Sequence, residues 1–466
     1  MHGPVYLCED IRRIERAAGE AEPALMERAG AAAAGLAATL ADDRGKDILV
    51  LAGPGNNGGD ARVVARLLEE KFFRVTVATR RDEVPEKPWG VVIDGLFGIG
   101  LGRDITGPHA ILVEYANRQR CPVLALDIPS GLHADTGRVL GCAIRATHTI
   151  TFIALKPGLL TLDGPDHCGQ ILVADLGLPV AKLVAPRAWV ARPELFRTLL
   201  KPRPRNFHKG MAGSVAILGG AAGMSGAALL AGRAALKLGA GRVYVGLLDD
   251  TVSLDAQNLE LMLRHPDDAL GQDLDALIVG PGLGQGERAG TLVGAALASD
   301  LPCVLDADAL NLIAEDPGLR QACARRSADT LLTPHPAEAA RLLAAHTADV
   351  QADRVKAAKM LSGNLNAHVL LKGNGSILVA RDGHWFVNAT GNPGMASAGM
   401  GDVLAGMLGA LLAQRFSGES ALVLGVHLHG AAADALVKEG TGPVGLTASE
   451  LIDAARRQWN GWLANP

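Results

Sequence analysis

The stretch KDILVLAGPGNNGGDARVVARLL, residues 46–68, decides the fold of the first half. Its apolar run over 46–53 ends in glycine, and a polar Gly/Asn turn follows. A helical pattern then starts at Asp60, with Val63, Val64, Leu67 and Leu68 spaced for one buried face. Further short apolar runs recur at RVTVATR (74–80), GVVIDGLFG (90–98), PVLALDIPSG (122–131), THTITF (147–152) and GQILVAD (169–175). Helical segments separate the earlier ones. Alternating strand and helix predicts a largely parallel, doubly wound α/β sheet.

The pattern breaks at KPRPRNFHKG (201–210), which holds two prolines and five basic side chains and suits a surface linker or a domain edge. It restarts with strand GSVAILGG (213–220), helix GAALLAGRAALKLGAG (226–241) and strands RVYVGL (242–247), DALIVGPG (275–282) and PCVLDAD (302–308). The boundary is placed near 200, giving domains 1–200 and 201–466, with no internal repeat. The length of 466 residues gives a starting estimate of two or three domains, since typical domains run about 100–200 residues, and the second half is large for one sheet but within α/β range. A balance of 45 basic against 49 acidic side chains lacks the footprint of a nucleic-acid or anionic-membrane binder. Residues 1–16 carry Glu9, Asp10, Arg12 and Arg13 where a signal peptide needs an apolar run, and no run of about 18 strongly apolar residues marks a membrane span. The six cysteines are scattered without a C-x-x-C pair, which speaks against zinc and a disulfide framework. A cytoplasmic chain is expected.

Gly53, Gly55 and Gly58 satisfy G-x-G-x-x-G between a strand and a helix, which alone permits a dinucleotide-binding reading. The run RVTVATR ends in Arg80-Arg81 instead of the acid that holds a ribose, so a plain chain-reversing turn stays open. Asp94 closes GVVIDG, and Asp127 closes PVLALD before Ile128-Pro129-Ser130-Gly131. Ligands of an open parallel sheet gather at such strand ends, although either carboxylate could instead cap a helix. Asn57, Asp94 and Ser130 together offer hard oxygen ligands for a non-transition cation. In the second half, Gly399–Gly401 and Asp402 precede the apolar run VLAGMLGALLA. Backbone N–H groups turned to one spot beside a helix N-terminus make an anion hole, and Asp402 at its mouth can take a proton from a hydroxyl. The competing reading makes Asp402 an N-cap.

The first half resembles the NAD(P)H-hydrate epimerases at LMERAG (25–30), GPGNNGGD (53–60), DGLFGIG (94–100), DIPSGL (127–132) and TITF followed by Lys156-Pro157-Gly158. The resemblance implies a Rossmann-like domain that interconverts the R and S hydrates at ring carbon 6. It places the hydrate against Asn56, Asn57, Gly58, Gly59 and Asp60, and against Gly98, Ile99, Gly100, Leu101, Gly102, Arg103 and Asp104. It puts potassium on Asn57, Asp94 and Ser130, and Asp127 at the ring as the acid–base group, with or without Lys156.

The G-x-G-D element is similar to the ribokinase superfamily, as are TPHPAE (333–338) and KGNGS (372–376). Vitamin kinases there carry T-P-N-x-x-E; here His335 stands at the asparagine and Glu338 is kept, which argues against an ordinary kinase. With HKG (208–210), GGAAGMSGAA (219–228), GPGLG (280–284) and LDADALN (305–311), the second half resembles the ADP-dependent NAD(P)H-hydrate dehydratases. That resemblance implies a ribokinase-like α/β domain in which ADP, with magnesium, phosphorylates the C6 hydroxyl of the S hydrate and phosphate then leaves. Lys372, Gly373, Asn374, Gly375, Ser376 and Gly401 would hold the nucleotide; Ala227, Gly282, His335 and Asp402 would line the hydrate site. The partners expected are NADHX, NADPHX and ADP, in a homo-oligomer without nucleic acid or membrane. The alternative is a vitamin or sugar kinase with a non-catalytic dinucleotide-binding front half. Asp306 and Asp308 read as sharing one strand face, open to capping or metal contact. His427 and His429 lie two apart on a helix, a poor metal pair, and read as packing residues.

Overall fold

Along the strand Asp47–Ala52, Ile48, Val50 and Ala52 join one buried cluster and Leu49 and Leu51 another, so the strand is covered on both faces. Such double burial is what a near-continuous apolar run requires of a parallel sheet. The structure, a computed structural model, describes residues 3–19, 22–41 and 47–464. Met1, His2 and Lys46, which the sequence reading includes, lie outside the described residues. The chain divides into two units, Met1–Val190 and Ala191–Pro466.

The first unit's six strands lie in the order Arg74–Ala78, Asp47–Ala52, Val91–Gly95, Val123–Leu126, His148–Phe152, Gln170–Ala174, all parallel. The strand order reverses between Asp47–Ala52 and Val91–Gly95, the switch point where doubly wound sheets open a ligand crevice. One boundary needs correction: the helix begins at Asn56, not Asp60, and runs to Glu70. The Gly/Asn stretch is therefore the helix's first turn and not a loop. Glycine allows this at position 58, where a Cβ would stand 1.9 Å from the Gly53 carbonyl oxygen.

In the second unit the apolar runs become Ser214–Gly219, Arg242–Leu247, Ala276–Val279 and Cys303–Leu305. Short strands Met262–Arg264, Thr330–Leu332, His368–Leu371, Ser376–Val379 and Trp385–Asn388 belong to the same sheet. Pairing is parallel as far as His368–Leu371 and antiparallel across the last two strands. KGNGS thus forms a hairpin loop. Helices Ser225–Lys237 and Met400–Ala413 pack over the sheet. Helix Gly418–Lys438 is long and apolar enough to cross a membrane by length and composition, but it carries Glu419, His427, His429 and Asp434 and its apolar stretch is 72% buried inside the protein.

Candidate active sites

Asp127 leaves the strand Val123–Leu126 with φ +66°, a left-handed conformation uncommon outside glycine and often found at functional sites. Its Oδ1 accepts the Phe152 N–H at 3.2 Å and the Lys156 ammonium. Lys156 is fully buried and also donates to Thr151 Oγ1 and the Phe152 carbonyl, each at 2.8 Å. A buried ammonium with three oxygen partners holds the carboxylate in one place.

Beside this pair lies a cavity of about 830 Å³. Asn56, Asn57, Asp60, Gly98, Ile99, Gly100, Leu101, Gly102, Arg103, Asp127 and Lys156 line it. Gly58, Gly59 and Asp104 do not: Gly58 packs on Gly53, a Cβ on Gly59 would meet the Met26 methyl at 2.7 Å, and Asp104 is exposed. Arg12 and Glu15, on helix Cys8–Ala18, line the cavity as well. The sequence signals neither, because they sit on the polar side of a helix whose Ile11 and Ile14 are buried. Burial, reinforced by the Asp127 and Glu15 carboxylates, pushes the Asp60 carboxyl up to about 7.

Asp94 is fully buried. Its oxygens accept the Ser130 hydroxyl at 2.6 Å, the Ser130 N–H at 2.8 Å and the Leu96 N–H at 3.2 Å. Burial still outweighs these bonds and raises its pKa to about 6. Among the described residues neither polar atom of the buried Asn57 amide has a hydrogen-bond partner, a costly state that a bound cation would relieve at the amide oxygen. A carboxylate, an amide oxygen and a hydroxyl are hard oxygen donors suited to a non-transition cation.

In the second unit Gly399, at φ +86°, is the N-cap of helix Met400–Ala413. Asp402 therefore lies in the first turn and is not the N-cap, which removes the capping reading. Burial, the first cause, and the Asp306 carboxylate raise its pKa to about 6. Lys372 donates to Asp306 Oδ1 at 2.9 Å. Burial alone would lower the ammonium's pKa, but the Asp306 and Glu338 carboxylates more than offset it and the net shift is upward. A Cβ on Gly401 would stand 3.3 Å from the Lys372 Nζ, so the ammonium sits beside the helix's first turn. Lys372 thus differs from the rest of KGNGS: its side chain joins the acidic cluster, while Ser376 closes the hairpin with its hydroxyl on the Gly373 carbonyl at 2.9 Å. Arg354 supports this loop from below through the Leu371 and Lys372 carbonyls, both at 3.3 Å.

His335 is the N-cap of helix Pro336–Leu343. Its Nδ1 accepts the Ala337 N–H at 3.1 Å, its backbone N–H donates to Glu338 Oε2 at 2.7 Å, and its Nε2 lies 3.2 Å from Glu338 Oε1. Burial and the Lys372 charge lower its pKa, favouring a neutral ring. With Nδ1 accepting, Nε2 carries the proton and donates. An asparagine side chain offers the same acceptor and donor, so the exchange in TPHPAE is physically conservative and says less against a kinase than the sequence implies. Ala227 and Gly282 meet each other, a Cβ on Gly282 standing 3.2 Å from that of Ala227. Among the described residues no hydrogen bond joins them to Lys372 or Asp402.

Asp306 and Asp308 do not share a strand face: the strand ends at Leu305 and Asp308 opens helix Asp308–Glu315. Asp308 accepts the Gly284 N–H at 2.8 Å, while Asp306 faces Lys372. His427 bonds the Ala191 carbonyl at 3.0 Å, and His429 bonds the Met400 backbone.

These features define a class: an α/β enzyme with one carboxylate–lysine site at a doubly wound switch point and a second, acid-rich site at a glycine-led helix N-terminus. Comparison with known proteins gives the family. Residues 215–457 match the family described as NAD(P)H-hydrate dehydratase, and residues 22–89 and 78–158 match the YjeF-related protein N-terminus. The bifunctional NAD(P)H-hydrate repair enzyme of Coxiella burnetii is 38% identical, covering 97% of this chain and 98% of the relative. That of Escherichia coli is 37% identical, covering 97% and 93%. The ADP/ATP-dependent NAD(P)H-hydrate dehydratase of Bacillus subtilis, co-crystallised with ATP and Mg2+, covers 59% of this chain and 98% of its own at 31% identity and a TM-score of 0.53. The chain belongs to the bifunctional NAD(P)H-hydrate repair enzymes, and the kinase alternative is not favoured.

Proposed function

We propose that domain 1–200 interconverts the R and S hydrates of NADH and NADPH, and that domain 201–466 dehydrates the S hydrate with ADP, releasing AMP and phosphate. The observation that carries this reading is the coexistence of two differently built sites in a chain that matches bifunctional relatives over nearly its full length. In the first, Asp127 serves as the acid–base group at the ring, fixed by Lys156. Asn57, Asp94 and Ser130 would hold potassium, which when bound supplies the charge that orders the loops after Asp47–Ala52 and Val91–Gly95.

In the second site Asp402 takes the proton from the C6 hydroxyl as that oxygen attacks phosphorus, and the first-turn amides with Lys372 receive the phosphoryl charge. Phosphate then leaves C6 far more easily than hydroxide, and loss of a proton from C5 completes the C5–C6 double bond of NADH or NADPH. Magnesium would come with the nucleotide phosphates and neutralise their charge; among the described residues no group of three or more His, Cys, Asp or Glu is arranged to hold a metal alone. Gly373, Asn374, Gly375, Ser376 and Gly401 would bind the nucleotide. The cytoplasmic location and the homo-oligomeric state belong to the same proposal.

The test supplies the whole chain with mixed R and S hydrates, ADP, magnesium and potassium, and follows nicotinamide absorbance. Rapid recovery of both epimers as NADH or NADPH is expected. A fast phase that stops when the S epimer is consumed would remove the epimerase, and absence of any ADP-dependent phase would remove the dehydratase.

A further inference from the structure

We propose that Asp60 is the proton donor of the epimerisation, sharing its cavity with the Lys156-paired Asp127; this rests on reading the first unit as an epimerase. Carbon 6 of the hydrate bears a hydroxyl and the ring nitrogen N1. Inverting it without a redox step opens the ring. A base removes the hydroxyl proton, the C6–O bond becomes a carbonyl, the C6–N1 electron pair moves to N1, and an acid gives N1 a proton. After rotation about C5–C6, N1 attacks the other face of the carbonyl and returns its proton, and the oxygen is reprotonated. Atoms and charge balance without a co-reactant. The chemistry needs one carboxylate and one carboxylic acid facing the same ring.

The cavity supplies both, in different surroundings. Asp127 Oδ1 faces the Lys156 ammonium and the Phe152 N–H, donors that stabilise an anion. Asp60, on helix Asn56–Glu70, lines the same cavity and accepts no hydrogen bond among the described residues. The charged groups around the cavity are Arg12 and Glu15 from helix Cys8–Ala18, Arg103 from the loop after Val91–Gly95, Asp127 and Lys156. Those acting on Asp60 are the carboxylates of Asp127 and Glu15, and with its burial they hold its proton on up to about pH 7. A carboxylate held by an ammonium and a second carboxyl buried without a donor are the usual arrangement of a base and an acid.

The experiment measures conversion of pure R hydrate to S hydrate by the full chain, without ADP, between pH 5.5 and 9. In the unmodified protein turnover should fall as pH rises through about 7, because the donor loses its proton. Asp60→Asn should lower kcat by roughly 10²-fold or more, leave KM within a few-fold, and abolish that alkaline fall. Asp60→Glu should recover part of the rate together with the fall, which guards against a folding artefact, as does a thermal melt. A variant with normal kcat, raised KM and the fall intact would make Asp60 a binding residue and overturn the proposal. Failure of the unmodified protein to interconvert the hydrates would instead overturn the epimerase reading beneath it.

Discussion

The two sites share a plan and differ in how they balance charge. Each lies beyond a parallel strand, beside a helix with glycine at its N-cap, Gly55 or Gly399, and more glycine in its first turn. In the first unit a fully buried lysine is matched to Asp127, and Asp60 and Glu15 face open space in a cavity of about 830 Å³. In the second, a single lysine, Lys372, faces Asp306, Glu338 and Asp402 together. A site that only shuttles protons works with carboxyl groups of unequal proton affinity and needs no excess charge. A site that receives a polyphosphate while carrying an acidic surplus must take cations in with the ligand. The surplus, more than any single motif, separates the second chemistry from the first.

The comparison breaks most directly at Asp402. Asp402→Asn should lower dehydration of pure S hydrate by roughly 10²–10⁴-fold, while epimerisation stays unchanged because its residues belong to the other unit and independent sites act additively. The base works in its ionised form, so dehydration should rise with pH through about 6 and level off above it. Epimerisation should show the opposite limb near 7 if Asp60 is its acid. Phosphate release, an ADP titration and a melt decide the matter. A folded Asp402→Asn protein that turns over normally would leave the second site without its proposed base.

A smaller effect tests the cation of the first site. Exchanging potassium for tetramethylammonium should slow epimerisation and lower the melting temperature of the first unit, leaving dehydration alone. A ligand at a hundred times its dissociation constant stabilises by about 2.7 kcal/mol, which sets the scale of the shift. Asn57→Ala should make both readouts indifferent to potassium. An Asn57→Ala protein that still responds like the unmodified chain would take the unpartnered Asn57 amide out of the site.

Most strands were legible because buried parallel strands need continuous apolar runs, and DIPSG and GMGD fall where the structure puts polar side chains beyond a sheet. The class of each domain, once the resemblance was drawn, agrees with the family matches. What the sequence withheld was tertiary. Lys156 meets Asp127 across 29 residues and Lys372 meets Asp306 across 66, and no local pattern marks such partners. Arg12 and Glu15 reach the first cavity from a helix whose pattern speaks only of its buried face. The start of helix Asn56–Glu70 was hidden because glycine and asparagine read as a turn, although close packing on Gly53 makes glycine fit inside the helix. The competing reading of Asp402 as a cap has a related source: an acid after glycine is a common helix start, but Gly399 takes that position.

The smallest expected effect falls on the residue that most sets the sequence apart from vitamin kinases. His335 caps helix Pro336–Leu343 through Nδ1 and meets Glu338 through Nε2, and both jobs lie within the reach of an amide. His335→Asn should therefore keep the cap, and dehydration should stay within a few-fold of the unmodified rate. His335→Ala removes the acceptor and should cost about 1 kcal/mol, the usual price of a lost N-cap. It also leaves Glu338 without its Nε2 neighbour, a carboxyl that burial already pushes up to about 7. If the ring instead takes a proton directly from the hydrate, the asparagine and alanine variants should fail alike in kcat while only the alanine variant melts early. Measuring kcat and melting temperature for both therefore separates a capping histidine from a catalytic one. The capping geometry commits to the first outcome: the asparagine variant turns over and the alanine variant is the less stable of the two.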